Sequence, residues 1–394
     1  MSNLPDLSGR TILQVIPALQ AGGAERTVIE ISDAIVRAGG RALVTSTGGR
    51  MVSALEAVGG THIEFDAASK SPLAVWNNSK HLADLIATEN VSLIHARSRA
   101  PGWSAYRAAR LSKTPFVTTY HGAYSGLKGL KRKYNSIMAS GDMVIANSRW
   151  MAEHIAEVHG LSANQIMIIP RGVDFDTFDP EKISADRRAQ IRSAWGLGPE
   201  NKRCVLFFPA RLTEWKGQKL ALEALSLMTP EEHDQLVLVM TGEAKRKSSY
   251  ITELNDLIRK YGLLDATRVL GHCEDMPAAL SASDIVLAPS IRPEAFGRTA
   301  AEAAAMGRPV IAADHGGARE TVVDGETGAR FTAGNAQALT GAIRSLISVG
   351  PATRDTMGHN GRQHVEQHFS TKGLQTATLS LYNAVIGIRR PETG

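Results

Sequence analysis

Two glutamates, Glu294 and Glu302, stand eight positions apart in the stretch PSIRPEAFGRTAAE. The apolar run from Asp284 to Ala288 reads as a strand that ends at Pro289, and Gly297 marks the entry to a helix that carries Thr299 and Glu302 in its first turns. Such a junction presents backbone N–H groups from Phe296, Gly297 and Arg298 at a helix N-terminus, a place that favours an anion. At about 1.5 Å per helical residue, and more in loop, the two carboxylates lie on the order of 10 Å apart, the span from a sugar to a ribose across a diphosphate. Each carboxylate can accept hydrogen bonds from a pair of hydroxyls. Alone, the stretch fits an ordinary capped helix more readily than a site, because glutamates near helix N-termini are common.

Other residues with chemical potential fall at equivalent places. In PARLTEWKGQ the strand Cys204 to Pro209 runs into Arg211, and Lys216 and Gly217 follow just before a helix. A planar guanidinium fork and a point charge there suit the two phosphates of a diphosphate, whereas without a ligand both are solvated surface. In VIPALQAGGAERTVIE a first strand gives way to Gly22 and Gly23 before a helix, so backbone can approach a phosphate or sugar closely. This is not a dinucleotide fingerprint, since no acidic residue ends a second strand about 20 residues on. His121 follows a buried strand in TTYHGAY; a lone histidine there is usually structural or exposed, but this strand end faces the same side as the others. His95 ends a neighbouring strand and opens HARSR, which puts Arg97 and Arg99 near that rim. Asp174-Phe175-Asp176 matches a metal-binding D-x-D, but it has no strand-turn partner and is too short to be specific. No metal is expected.

The elements that must position these residues come in two series. Strands at Thr11 to Ile16, Arg41 to Thr45, Val91 to His95, Pro115 to Thr119 and Met143 to Ala146 alternate with helices, the first at Ala24 to Ala38; the pattern restarts with Cys204 to Pro209, Gln235 to Thr241, Arg268 to Gly271, Asp284 to Ala288 and Pro309 to Ala313. Strands separated by helices imply right-handed crossovers and parallel sheets. The expectation is α/β with two Rossmann-like doubly wound domains facing across a crevice: residues 1–185, a linker at 186–200, residues 201–370, and a C-terminal helix from 371 to 394 that packs back on the first domain. A length of 394 residues accommodates both cores. The first residues, with no basic run before their short apolar stretch, are expected to form a mature start and not a signal sequence, and no stretch approaches the roughly 18 apolar residues of a membrane span. Cys204 and Cys273 read as core thiols.

The net charge of +5 is unevenly spread: no Asp or Glu occurs from Asn90 through Gly141, while nine Lys and Arg do. A one-signed window is a footprint for something anionic, or else a solvated face.

Taken together, these residues resemble the GT-B retaining glycosyltransferases of family 4. The resemblance rests on Gly22-Gly23-Ala24-Glu25, His121 in TYHG, Gly172-Val173-Asp174, Arg211 with Lys216-Gly217, the paired Glu294 and Glu302, and Gly316-Gly317-Ala318-Arg319-Glu320, in order along nearly the whole chain. It implies that Glu302 binds the ribose and Glu294 the donor sugar, with backbone from Phe296, Gly297, Arg298 and Thr299. It implies that Arg211 and Lys216 neutralise the diphosphate, that the Gly22-Gly23 loop closes over it, that His121 touches the transferred sugar, and that the base sits near Gly271, His272 and Met276. The donor is then a UDP- or GDP-sugar, with no cofactor and no metal. Two departures from the family pattern, Arg171 where Asn is frequent and Arg298 where an aliphatic residue is, add cations.

The acceptor side is read from Arg97 and Arg99 in the acid-free window together with the extra cation Arg171: they suit a lipid-linked or anionic glycan, as in the transferases of lipopolysaccharide core or surface polysaccharide that the chain resembles. In GLKGLKRKYNSIM, Lys128, Lys131, Arg132 and Lys133 flank a stripe of Leu127, Leu130, Tyr134 and Ile137 that could rest on an anionic membrane, which implies a cytoplasmic protein peripheral to the inner face of the membrane. Rival readings are a sugar-nucleotide 2-epimerase of the same fold and a non-enzymatic sugar-nucleotide-binding protein. Nucleic acid is disfavoured, because the basic residues lack interleaved aromatics and a motif.

Overall fold

The computed structural model describes residues 4–20, 22–69, 71–124, 129–244 and 249–388. The chain forms two compact units, residues 1–172 with 371–394, and residues 173–370.

Unit 1 runs β1 (Thr11–Val15), α1 (Gly23–Arg37), β2 (Arg41–Ser46), α2 (Val52–Ala57), β3 (Thr61–Glu64), α3 (Pro72–Thr88), β4 (Val91–Ala96), α4 (Arg99–Ser112), β5 (Phe116–Tyr120), α5 (Gly129–Asn135), β6 (Met143–Ala146), α6 (Arg149–His159) and β7 (Ile166–Ile168). Its sheet is parallel, in the order β3-β2-β1-β4-β5-β6-β7. Runs such as TILQV and FVTTY are buried along their whole length because helices cover both faces of such a sheet. Alternate side chains divide between two cores: Ile12 faces Ile31 and Ile35 of α1, and Leu13 and Val15 face Ala105 and Ala108 of α4.

Unit 2 runs α7 (Ala185–Ala194), β8 (Cys204–Pro209), α8 (Gln218–Ser226), α9 (Pro230–His233), β9 (Leu236–Thr241), α10 (Tyr250–Lys260), β10 (Thr267–Leu270), α11 (Met276–Ser281), β11 (Ile285–Ala288), α12 (Arg298–Ala305), β12 (Val310–Ala313), α13 (Ala318–Thr321), β13 (Gly328–Phe331), α14 (Ala336–Ser348) and α15 (Gly350–His368). Its parallel sheet has the order β10-β9-β8-β11-β12-β13. Strand β8 shows the same division, with Val205 and Phe207 in one core and Cys204, Leu206 and Phe208 in the other.

The last helix, α16 (Thr371–Ile388), belongs to unit 1. Leu379, Leu381, Tyr382, Val385 and Ile386 enter the core that α1 covers. Two specific bonds fix it: the Tyr382 hydroxyl meets His95 Nδ1 at 2.6 Å, and Arg37 donates to Gln375 Oε1 at 2.8 Å.

The unit boundary falls at 172/173, and residues 186–200, expected as linker, carry part of unit 2's own core. Trp195 and Leu197 are buried, Trp195 stacks on Phe207 with centroids 5.1 Å apart, and Arg187 forks onto Asp275 at 2.6 and 2.7 Å. Three sheet-edge strands, β3, β7 and β13, were not expected, because THIE, IMI and GARF carry too short an apolar run to stand out. Among the described residues no helix is long and apolar enough to cross a membrane.

Candidate active site

In each sheet the strand order reverses once, between β1 and β4 in unit 1 and between β8 and β11 in unit 2. Ligands of such folds bind outside the carboxyl ends of the strands at that reversal. Gly22, Arg97, Arg211, Lys216 and Glu294 follow the strands that flank these reversals.

In unit 2, β8 leads into Arg211 and then a short turn, Glu214–Lys216, closed by Gly217. Gly217 has φ +92°, and a Cβ there would collide with the Pro289 carbonyl, so only glycine lets this turn lie against the end of β11. A backbone bond from Ile291 N to Trp215 O, 2.9 Å, ties the two loops together. That contact delivers Lys216 Nζ to Glu294 Oε1 at 2.7 Å. Ser290 donates to the same oxygen, and Lys216 also lies over the Trp215 ring, 4.4 Å from its centroid. Burial pushes the Glu294 carboxyl up, but the Lys216 charge and hydrogen bond, the Ser290 hydroxyl and the nearby His315 outweigh it and hold the group below its ordinary value. Glu294 is therefore an ionised carboxylate in a site only 22% exposed.

Helix α12 starts beyond this pair. Gly297, at φ +85°, is its N-cap and offers no side-chain cap, which leaves the first-turn N–H groups without a partner inside the helix. Thr299 reaches back to the Pro209 carbonyl at 3.4 Å. Arg298 Nη1 is 3.7 Å from Glu302 Oε1, while its Nε and Nη2 are buried without a hydrogen-bond partner. Phe296 is buried edge-on against Phe369, so its side chain is core and its backbone faces the junction. The glycine pair after β12 fits closely: Gly317 N donates to Glu294 O at 2.8 Å, and a Cβ on Gly317 would stand 2.5 Å from the Phe296 backbone. Arg211 is exposed, and its guanidinium has no ion-pair partner among the described residues. Gly271 follows β10, and its carbonyl accepts from Gly242 N at 3.0 Å; Met276 opens α11, which Asp275 caps.

Sequence reasoning passed over Ser290 and His315. Both ring nitrogens of His315 are buried without a hydrogen-bond partner, and it shares a pocket with Glu294, Gly297 and Thr299. Its place immediately before Gly316-Gly317, after a strand, was the available signal.

In unit 1, Gly22 is the N-cap of α1. Arg97, His121 and Arg171 line one cavity, with Arg171 Nη2 donating to His121 Nδ1 at 3.1 Å. Arg99 is not among them: it donates to Asn135 Oδ1 at 2.7 Å and lies over the Tyr124 ring, 4.0 Å from its centroid. Of the basic stripe, Lys128 lies outside the described residues, while Lys131, Arg132 and Lys133 on α5 are exposed. The apolar side expected for it is split, since Leu130 is 87% exposed but Ile137 is buried in the core. Asp174 uses its carboxylate locally, accepting from Asp176 N at 3.0 Å and Thr177 Oγ1 at 2.6 Å.

Two parallel α/β units with these strand orders define the GT-B class. The family model for glycosyl transferases group 1 matches residues 190–364, and that for Glycosyltransferase Family 4 matches residues 21–177. A glycosyltransferase from Rickettsia africae ESF-5 is 32% identical, with a TM-score of 0.88 over 97% of this chain and 99% of that one. The chain belongs to this family of glycosyltransferases. The D-inositol 3-phosphate glycosyltransferase of Xylanimonas cellulosilytica is 31% identical over 253 residues, a match that takes in 60% of this chain and 58% of that relative. Anabaena Alr3699/HepE, solved in complex with UDP, shares the fold at 24% identity, with a TM-score of 0.81 over 95% of this chain and 100% of that one.

Proposed function

We propose that the protein moves a sugar from a UDP- or GDP-sugar to a lipid-linked or anionic glycan acceptor, with retention at the anomeric carbon and without a metal ion. The observation that carries this reading is the cluster at the ends of β8, β11 and β12, where an ionised Glu294 paired to Lys216, the α12 N-terminus, Arg298 and the exposed Arg211 stand together. Glu294 accepts from hydroxyls of the donor sugar, and Glu302 from those of the ribose. The diphosphate meets the α12 N-terminus, Arg211 and Lys216; an ammonium has three donors, so Lys216 keeps two for phosphate while it bonds Glu294. The base lies by Gly271 and Met276.

As the bond from the anomeric carbon to the phosphate oxygen breaks, positive charge grows on the sugar and negative charge on the diphosphate. Fixed cations and N–H groups at the leaving group lower that barrier, so no protein nucleophile and no metal are called for. The acceptor hydroxyl attacks from the face the phosphate leaves, and its proton passes to the departing phosphate oxygen.

In unit 1, His121 and the Gly22-Gly23 N-terminus of α1 are the proposed substrate contacts. Support for an anionic acceptor comes from Arg97 and Arg171, and from the relative named for an inositol phosphate. Assembly of lipopolysaccharide core or a related surface glycan, at the inner face of the membrane, fits such an acceptor and the exposed Lys131, Arg132 and Lys133. Incubation with UDP- and GDP-sugars tests the chemistry: release of nucleoside diphosphate, lost in Glu294→Ala, is expected. Epimerised donor without release would reject transfer.

A further inference from the structure

Beyond the carboxyl ends of four adjacent parallel strands of unit 1 stand Arg97 just after β4, His121 just after β5, Asn147 just after β6 and Arg171 three residues past β7, and all four line one cavity. Arg97 is 3% exposed. Its guanidinium donates from Nε to Gln14 Oε1 at 3.0 Å, from Nη2 to the same oxygen, and from Nη1 to Thr119 Oγ1 at 3.5 Å. All of these acceptors are neutral. Among the described residues no carboxylate pairs with it; Glu30 acts on it only through space and is itself 3.6 Å from Arg26. The neighbouring His95 adds no charge to offset or reinforce it. Burial, and then the charge of Arg97, hold that imidazole well below its ordinary value, and both ring nitrogens are bonded, to the Tyr382 and Thr119 hydroxyls.

Asn147 is a second and independent sign. It is 2% exposed, and neither its Oδ1 nor its Nδ2 has a hydrogen-bond partner. Buried polar groups are nearly always bonded, and a buried charge nearly always has a counter-charge. No Asp or Glu lines the cavity, whose remaining wall includes Ile145, Ile169 and Leu374. An anion with acceptor oxygens supplies the missing counter-charge of Arg97 and accepts from Asn147 Nδ2, while Asn147 Oδ1 needs a donor such as a hydroxyl of the same molecule. The space free of protein atoms is about 260 Å³, the open solvent at its mouth included.

We propose that this pocket binds a single carboxylate or phosphate group of the acceptor, held by the Arg97 and Arg171 guanidiniums and by Asn147 Nδ2. The assignment to the acceptor rests on the sugar-transfer reading; anion binding itself does not. The site makes the enzyme selective for acceptors bearing that group next to the hydroxyl that reacts.

Thermal shift of the full chain with glucose 6-phosphate, glucuronate, glucose and UDP tests this. Glucose 6-phosphate or glucuronate should raise the midpoint where glucose does not, and whichever does so identifies phosphate or carboxylate. In Arg171→Gln the affinity for that anion should fall by about tenfold or more, as loss of a charge-assisted bond predicts, with Arg171→Lys partly restoring it. The UDP response should be unchanged in both variants. Arg171 is chosen because it is less buried than Arg97, and an unaltered ligand-free midpoint shows that the variant folds. Equal responses to glucose and both anions would overturn the proposal, as would an anion response that survives in Arg171→Gln or that saturating UDP abolishes. An anion response lost in Arg171→Gln, in a protein that releases no nucleoside diphosphate from any donor, would uphold the pocket and reject the transfer reading alone.

Discussion

Lys216 and Glu294 hold one another in a partly buried ion pair, and the Lys216 ammonium helps keep the Glu294 carboxyl ionised. Removing the ammonium strands a carboxylate at the end of β11. Lys216→Ala is therefore expected to cost about 2 kcal/mol of stability, less than a fully buried pair would, and to slow nucleoside diphosphate release by about 10²–10³-fold. The double variant Lys216→Ala/Glu294→Gln should regain much of the stability and none of the activity, which thermal unfolding and a release assay would separate. The pair also sets a pH dependence. Glu294 is lowered in the folded protein, so its contribution is fully present above the ordinary carboxylate value near 4.5 and disappears as the pH falls through the lowered one. The difference in urea midpoint between wild type and Glu294→Gln should stay flat from pH 8 to pH 5 and shrink only below that; a steady decline through neutral pH would contradict the assignment.

At the level of elements, α16 shows how a chain end becomes part of a core laid down by its beginning. Its apolar side chains complete the cluster around Ile31 and Ile35, and Tyr382 closes the buried bond to His95. Ending the chain at residue 370 should leave unit 1 unable to fold, seen as rapid proteolysis of residues 1–172, while Tyr382→Phe should cost only about 1–2 kcal/mol, the price of one unsatisfied buried group. The apolar run and period of this helix were legible in the sequence, as were the central strands, because burial on both faces writes a continuous apolar stretch. The edge strands β3, β7 and β13 were not, since an edge needs fewer apolar residues. Likewise Arg211, Lys216 and Glu294 stood out by their place after strand ends, and Glu302 by its spacing from Glu294 in the helix that follows. That Lys216 bonds Glu294 depends on how closely Gly217 lets two loops approach, a distance no spacing records. Asn147 and His315 were missed because a single polar residue after a strand looks like any other loop residue until its lack of a partner is seen.

For the whole molecule, the two units differ in continuity. Unit 2 is one uninterrupted stretch, 173–370, with its own two cores and the proposed donor residues other than Gly22, Gly23 and His121, whereas unit 1 is assembled from both ends of the chain. The proposed contacts to the base and ribose of the donor nucleotide accordingly fall in the continuous unit. The central claim, that a nucleoside diphosphate is held at the carboxyl ends of β8, β11 and β12, is tested most directly by calorimetric titration of UDP and GDP into the full chain and into Arg211→Ala and Glu302→Ala. One of the two nucleotides should bind wild type, and both substitutions should weaken it by about tenfold or more. Binding of neither nucleotide, or binding that both substitutions leave untouched, would contradict the account.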